Sequence, residues 1–400
     1  MLKKSTSDVN PTRSHVVTGG TGFVGSALIL ELLQKTDGFI TAIVRPKAGQ
    51  SPSERLHQTL NDLIEGYALP MSLYGDVATR VRAIEGDIEQ ENCGVETDKV
   101  VELFGAEFWH CAASLQYQDR HRVQIEKTNV TGTANALHLA KQACSPVFNM
   151  MSTAYVAGSR QGNIRAEAPD IAYANNCYER SKIMAEQQVL DSGITARIMR
   201  PSVVIGHSKT YHSISADGLY GFIRNLTKFR NALERTQVGL SQTLNVSIAV
   251  GGLQYRRVGG HFEVHATGCI DLVPIDAVVE DAVGLSNAGA APGYYHLTNS
   301  TPSNISKVAT DCFVLSGLAA PKLVLDRSEM TEIDLKLQKR IDFYSSYLVN
   351  PKRFDRSSVE AVLGANARPG CDVEGAEFER YCTWFLDRLE GKSRRVAAVR

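Results

Sequence analysis

Two hydrophobic rhythms run along the first three-quarters of the chain. Short, largely apolar runs occur at Val16-Val17, Phe39–Val44, Glu107–Ala113, Val147–Met151 and Ile194–Met199, with a half-charged strand-like run at Arg80–Glu85. Between them lie longer stretches with helical spacing, such as Ser26–Leu33, about 51–66, 122–143 and 178–190. Ser51-Pro52-Ser53-Glu54 carries a helix-start signature, with Ser51 as cap, Pro52 at the first helical position and Glu54 completing a capping box. Short runs without alternation suit strands buried on both faces, and strict strand–helix alternation predicts βαβ units with right-handed crossovers in a parallel sheet.

After Gly206 the rhythm breaks. An amphipathic stretch over 218–233 precedes glycine-punctuated, strand-like pieces near 244–265. Asp271–Asp276 and a following helix lead to Tyr294–Thr298, which reads as one more strand returning to the sheet. The remainder is mostly helical, closing with an amphipathic helix near 375–390. The fold class is therefore α/β, a doubly wound parallel sheet of Rossmann type with a smaller, mostly helical C-terminal lobe. Its expected division is a flexible 1–13, a nucleotide-binding part at 14–206 to which 270–300 returns, a substrate lobe made of 207–268 and 301–390, and a flexible tail at 391–400.

The chemistry starts where the first apolar run turns into Thr18-Gly19-Gly20-Thr21-Gly22-Phe23-Val24-Gly25 and a helix. Strand, glycine turn and helix start form the context of a dinucleotide-binding loop. Gly19 and Gly22 are expected to take positive φ and bring backbone close to a pyrophosphate, Gly25 to let the helix pack on the strand, and the free N–H groups of the helix start to face the phosphates. About twenty residues on, an NAD enzyme places an acid on the ribose. Here Arg45 stands there, with Lys47 close by, which favours the 2′-phosphate of NADP(H). Asp87-Ile88 after the third strand is placed at the adenine edge, and Ala112-Ala113 ends the fourth strand with side chains small enough for backbone to approach the cofactor. His110 reads as a packed side chain beneath the dinucleotide rather than a catalytic group.

Composition narrows the class without changing it. With 43 basic and 43 acidic residues there is no basic excess to recruit nucleic acid. Eight scattered cysteines without a Cys-x-x-Cys, and ten histidines without ligand spacing, suit reduced thiols and no metal site. Met1–Ser14 is polar, without the apolar core of a leader, and no run is long enough to span a membrane, so a cytoplasmic protein is expected.

Tyr178 and Lys182 share one helix face one turn apart. A neighbouring ammonium is expected to lower the phenol pKa, while Thr153, at the end of the fifth strand, is placed to hydrogen-bond a carbonyl oxygen beside the tyrosine. Together they would polarise a carbonyl toward hydride. Cys177 and the histidines at 207 and 212 have less demanding readings, as a small inert thiol and as loop side chains.

In its glycine turn, Asp87-Ile88, His110-Cys-Ala-Ala113, Asn129, Tyr178-x-x-x-Lys182 and Arg200-Pro201, residues 14–300 resemble the extended short-chain dehydrogenase/reductases. Ser152-Thr-Ala-Tyr-Val156, Asp271-Leu-Val-Pro-Ile-Asp276 and Val44-Arg45, followed by the helix with Arg55, are most similar to the fatty acyl-CoA reductase and thioester reductase branch. The resemblance implies catalysis by Thr153, Tyr178 and Lys182, with Lys182 also on the nicotinamide ribose. It implies NADP binding by Gly19, Thr21, Gly22, Phe23, Arg45, Asp87, Ile88, Pro201 and Val203. The implied reaction reduces an acyl thioester, on CoA or a carrier protein, to an aldehyde and in some members on to an alcohol. A nucleotide-sugar epimerase or dehydratase, a hydroxysteroid- or flavonol-type dehydrogenase, and a non-catalytic NADP sensor are the alternatives. The stretch after Gly206 matches the branch only loosely, and substrate length and oligomeric state are not legible.

Overall fold

Every strand the apolar runs predict joins one parallel sheet. The computed structural model describes residues 13–391 apart from 259, 260, 267 and 326. The flexible ends expected at 1–13 and 391–400 therefore fall, except for Arg13 and Gly391, outside the described residues. The sheet strands are β1 (His15–Thr18), β2 (Ile40–Val44), β3 (Val81–Glu85), β4 (Glu107–His110), β5 (Phe148–Met151), β6 (Ala196–Pro201) and β7 (Gly293–Leu297). They lie in the order β3-β2-β1-β4-β5-β6-β7, every neighbouring pair parallel. The order reverses between β1 and β4, and the crevice beyond the carboxyl ends there is where an open parallel sheet takes its ligand.

The crossover helices are α1 (Phe23–Lys35), α2 (Pro52–Gly66), α3 (Ser72–Arg80), α4 (Gly132–Gln142) and α5 (Cys177–Asp191). The capping box at the start of α2 forms as expected, Ser51 Oγ accepting from the Glu54 N–H while the Glu54 carboxylate accepts from the Ser51 N–H at 2.9 Å. The helix α3 was not anticipated, because its mixed sequence SLYGDVATR buries only Leu73 and Val77. The predicted helix over 122–143 is interrupted: a π-helical turn, Lys127–Thr131, separates Arg122–Glu126 from α4. Gly132 starts α4 against Ile88, whose Cδ1 would lie 2.7 Å from an added Cβ, so the close packing expected of a helical glycine is present.

Beyond β6, the short strand Val203–Ile205 pairs in parallel with Leu272–Pro274. Helices α6 (Leu219–Thr236), α7 (Ile275–Asn287), α8 (Ile305–Leu315), α9 (Asp342–Val349), α10 (Ser357–Leu363) and α11 (Gly375–Leu389) follow. One core packs α1, α2 and α7 on one face of the sheet, and a second packs α4 and α5 on the other. A third, around Tyr220, Phe222, Leu226, Phe313 and Phe378, holds α6, α8 and α11 together. The short helix α10 joins the first core through Val359 and Leu363 instead of the third. Among the described residues no helix is long and apolar enough to cross a membrane, and no group of His, Cys, Asp and Glu is placed to hold a metal ion.

Candidate active site

The glycine turn lies at the carboxyl end of β1. Gly19 has φ +74°, and a Cβ there would come within 2.6 Å of the Ala112 backbone nitrogen; only glycine lets the first and fourth strand ends approach this closely. Gly25 is tighter still, an added Cβ falling 2.3 Å from the Gly19 carbonyl oxygen. Gly22 departs from expectation. Its φ is −90° in extended backbone, because it serves as the cap of α1, its carbonyl accepting from the Ser26 N–H and hydroxyl. Thr21, Phe23 and Val24 are half-buried around the start of α1, with Phe23 and Val24 packed on the first core.

Under this turn Thr18 Oγ1 lies 2.8 Å from His110 Nδ1 and accepts from the Ala112 N–H, while His110 Nε2 meets Thr133 Oγ1 at 3.1 Å. His110 is buried, and burial pushes its pKa down to about 3, so it stays neutral and bridges β1 to α4. It is a packed side chain, as its place in the sequence implied. Backbone that no side chain crowds, beside a helix N-terminus, fits a dinucleotide pyrophosphate.

The far end of this crevice is an open cavity of about 510 Å³ lined by Arg45, Lys47, Arg55, Glu85 and Asp87 among others. Arg45 is exposed, and its carbonyl accepts from the Arg55 guanidinium at 2.8 Å. Asp87 and Ile88 follow β3, Asp87 accepting from the Glu89 N–H and Ile88 buried against Gly132.

Thr153, Tyr178 and Lys182 meet at the carboxyl end of β5. Asn176 caps α5 through the Glu179 N–H, which sets Tyr178 in the first turn and Lys182 one turn on. The Thr153 hydroxyl lies close enough to the Tyr178 phenol to favour its ionised form, and it accepts the Tyr155 N–H at 3.2 Å. Lys182 Nζ donates to the Met151 carbonyl at 2.9 Å, and burial brings its pKa down to about 8. The Tyr178 phenol is not lowered as expected. Burial raises it, outweighing the Thr153 hydroxyl, so the phenol holds its proton at neutral pH. Asn129, placed by the π-turn, donates to the Ser181 hydroxyl at 2.8 Å and to the Ser114 carbonyl at 3.0 Å, tying α5 to the loop after β4. Pro201 ends β6, and Val203, two residues on, packs against both the aromatic cluster at Tyr155 and the third core.

Three groups here escape a reading of motifs. Glu186, one turn beyond Lys182, accepts from Ser152 Oγ at 2.5 Å and from Arg200 Nη2 at 2.6 Å, a fully buried pair that locks the end of β5 to α5 and β6. The i,i+4 spacing from Lys182 was its only trace. Glu179 is buried beside Tyr178 and pushed up to about 6, and Lys352, from a strand that pairs with Gly162–Ile164, is pushed down to about 8 by burial. The Cys177 thiol donates to Asp119 Oδ1 at 2.7 Å and is pushed up to about 11, which keeps it protonated and unreactive. His207 and His212 are loop side chains, as expected, and their rings pack 4.8 and 5.7 Å from that of Tyr67.

Comparisons with known proteins agree with this fold. Mouse fatty acyl-CoA reductase 2 is 26% identical over 315 residues, 74% of this chain and 58% of that one. The human protein of the same name is 33% identical over 150 residues, 36% of this chain and 28% of its own length. The chain thus spans little more than half of the mouse relative. Among solved structures, the terminal R domain from the myxalamid PKS-NRPS biosynthetic pathway superposes with a TM-score of 0.72 at 21% identity, covering 96% of this chain and 93% of that one. UDP-glucuronic acid 4-epimerase from Bacillus cereus, in complex with NAD, follows with a TM-score of 0.61 at 14% identity, covering 95% and 98%. These likenesses show the fold. The model of the NAD-binding family described as male sterility protein matches residues 17–281, two-thirds of the sequence, and the chain belongs to that family, with a nicotinamide dinucleotide as its cofactor.

Proposed function

We propose that the protein reduces an acyl thioester, carried by CoA or a carrier protein, to an aldehyde with NADPH, and that Thr153, Tyr178 and Lys182 carry the chemistry. The observation that supports this most directly is the buried Thr153–Tyr178 hydroxyl pair one helical turn from the Lys182 ammonium. When bound, the reduced nicotinamide supplies a hydride to the carbonyl carbon. The two hydroxyls would together hold the thioester carbonyl oxygen and stabilise charge developing on it. The Tyr178 proton, held by burial, passes to that oxygen. When the carbonyl reforms and the sulfur leaves as a thiolate, the same phenolic oxygen takes the proton back, and the thiolate is protonated from solvent. Lys182, its Nζ fixed by the Met151 carbonyl, would offer its remaining N–H groups to ribose hydroxyls. Similarity to fatty acyl-CoA reductases supports the substrate class.

NADP over NAD rests on Arg45 and Arg55 in the cavity at the adenosine end, where two guanidinium groups suit a 2′-phosphate. The eight unpaired cysteines favour a reducing compartment, and we assign the reaction to the cytoplasm. An assay with acyl-CoAs and acyl-carrier proteins tests the proposal. One thiol released per NADPH consumed in the first step is expected. Turnover of a nucleotide sugar or a secondary alcohol, with every thioester inert, would replace it.

A further inference from the structure

Between α6, α8 and α9 lies an apolar cavity enclosing about 40 Å³, whose wall includes Val203, Phe222, Val308, Ala309, Tyr344 and Tyr347 and exposes no polar surface. Small side chains make it. Val308, Ala309 and Cys312 share one face of α8, opposite Leu219 and Phe222 of α6.

The end formed by Val203, Tyr344 and Tyr347 adjoins the catalytic group. Tyr347 is buried, its ring 4.2 Å from that of Tyr155, two residues after Thr153, and it is close enough to Tyr178 for the two phenols to interact electrostatically. Val203 and Tyr344 are the two side chains shared between the aromatic cluster beside the catalytic site and the core of the C-terminal lobe. Tyr347 therefore stands between the reacting centre and the cavity.

Resting on the thioester reading above, we infer that the acyl tail runs past Tyr347 into this cavity, that Tyr347 sets its permitted length, and that the substrate carries a plain hydrocarbon chain. A dry apolar wall gives a hydroxyl, amide or amine on the tail no partner, and burying such a group unpaired is unfavourable. The enclosed volume is about that of one or two water molecules. With the Tyr347 ring in place a short tail fits, and a longer one needs the ring displaced. The Tyr344 hydroxyl lies against Gly221, where an added Cβ would come within 2.2 Å of it.

The test is kcat/KM over straight-chain acyl-CoAs from butyryl to stearoyl for wild type, Tyr347→Ala, Tyr347→Phe and Ala309→Leu. In wild type the values fall beyond a limiting length, and a terminally hydroxylated acyl-CoA reacts more slowly than its parent. In Tyr347→Ala the limit moves to longer chains, with about a fourfold gain for each newly accommodated methylene. Tyr347→Phe keeps the wild-type limit because it keeps the ring, and Ala309→Leu shortens it. NADPH affinity, measured by fluorescence titration, is unchanged in all three variants and certifies that they are folded. Equal length profiles in wild type and Tyr347→Ala, with NADPH affinity intact, overturn the inference while leaving thioester reduction standing. A wild type inert on every thioester overturns both.

Discussion

The two walls of the active site are built from opposite materials. The nucleotide wall is backbone and hydrogen bonds: the Gly19 turn against Ala112, the Thr18–His110–Thr133 bridge, and Glu186 binding Ser152 and Arg200. All of it comes from a sequential run of βαβ units. The proposed acyl wall is apolar side chains from segments far apart in the chain, Val203, Phe222, Ala309 and Tyr347. A polar wall fails when one partner is removed, because the other is left buried and unpaired. An apolar wall tolerates change of shape and only shifts what it accepts. One fold can therefore keep its cofactor chemistry while its substrate changes.

Four substitutions sharpen this contrast, from the largest effect to the smallest. Tyr178→Phe removes the proton donor but not its ring; kcat/KM falls by about 10²–10⁴ while NADPH still titrates as in wild type. Loss of NADPH binding instead would make the tyrosine part of the nucleotide wall. Glu186→Ala leaves the Arg200 guanidinium, 1% exposed, without its carboxylate and costs about 3–5 kcal/mol of stability in urea unfolding. A loss under 1 kcal/mol, on the order of a surface ion pair, would mean the network is not needed to hold the end of β5.

Glu31 tests burial without a sufficient partner. It lies 8% exposed on α1, and burial raises its carboxyl from 4.5 to about 7. Its folded pKa exceeds its unfolded one, so the folded state is penalised progressively as pH rises from about 4.5 to about 7, and fully above that. Glu31→Gln is expected to stabilise the protein by up to about 3 kcal/mol at pH 8 and by little near pH 4.5, read as the difference between urea midpoints at the two pH values. No pH dependence in that difference would show the carboxylate to be compensated. Smallest is Arg45→Ser, which lowers the preference for NADPH over NADH by roughly tenfold in KM, because this cation stands in an open, solvated cavity. An unchanged ratio would move the 2′-phosphate contact elsewhere.

Periodicity served best where local and tertiary demands coincide. The runs of β1, β2, β4, β5 and β6 are buried on both faces, so their pattern needs no partner to be recognised, whereas the edge strand β3 leaves Arg82 and Glu85 exposed. Tyr178 and Lys182 were legible because α5 itself carries them one turn apart. The π-turn at Lys127–Thr131 was not, since its residues read as ordinary helix and Asn129 reveals its role only when Ser114 and Ser181 are beside it. The raised Tyr178 pKa was missed for a related reason. A neighbouring lysine is visible in the sequence, whereas desolvation depends on every segment that covers the ring.

Sequence alone sufficed for the parallel sheet, the glycine turn and the helix face bearing Tyr178 and Lys182, because each is set by periodicity or spacing within short stretches of chain. Tertiary structure alone decided that Gly22 caps α1 instead of taking positive φ, that Glu186 and Arg200 brace the strand end, and that Lys352 and Tyr347 come against Tyr155 from the last quarter of the chain. Burial and cavity shape are sums over neighbours remote in sequence, and no local pattern carries them.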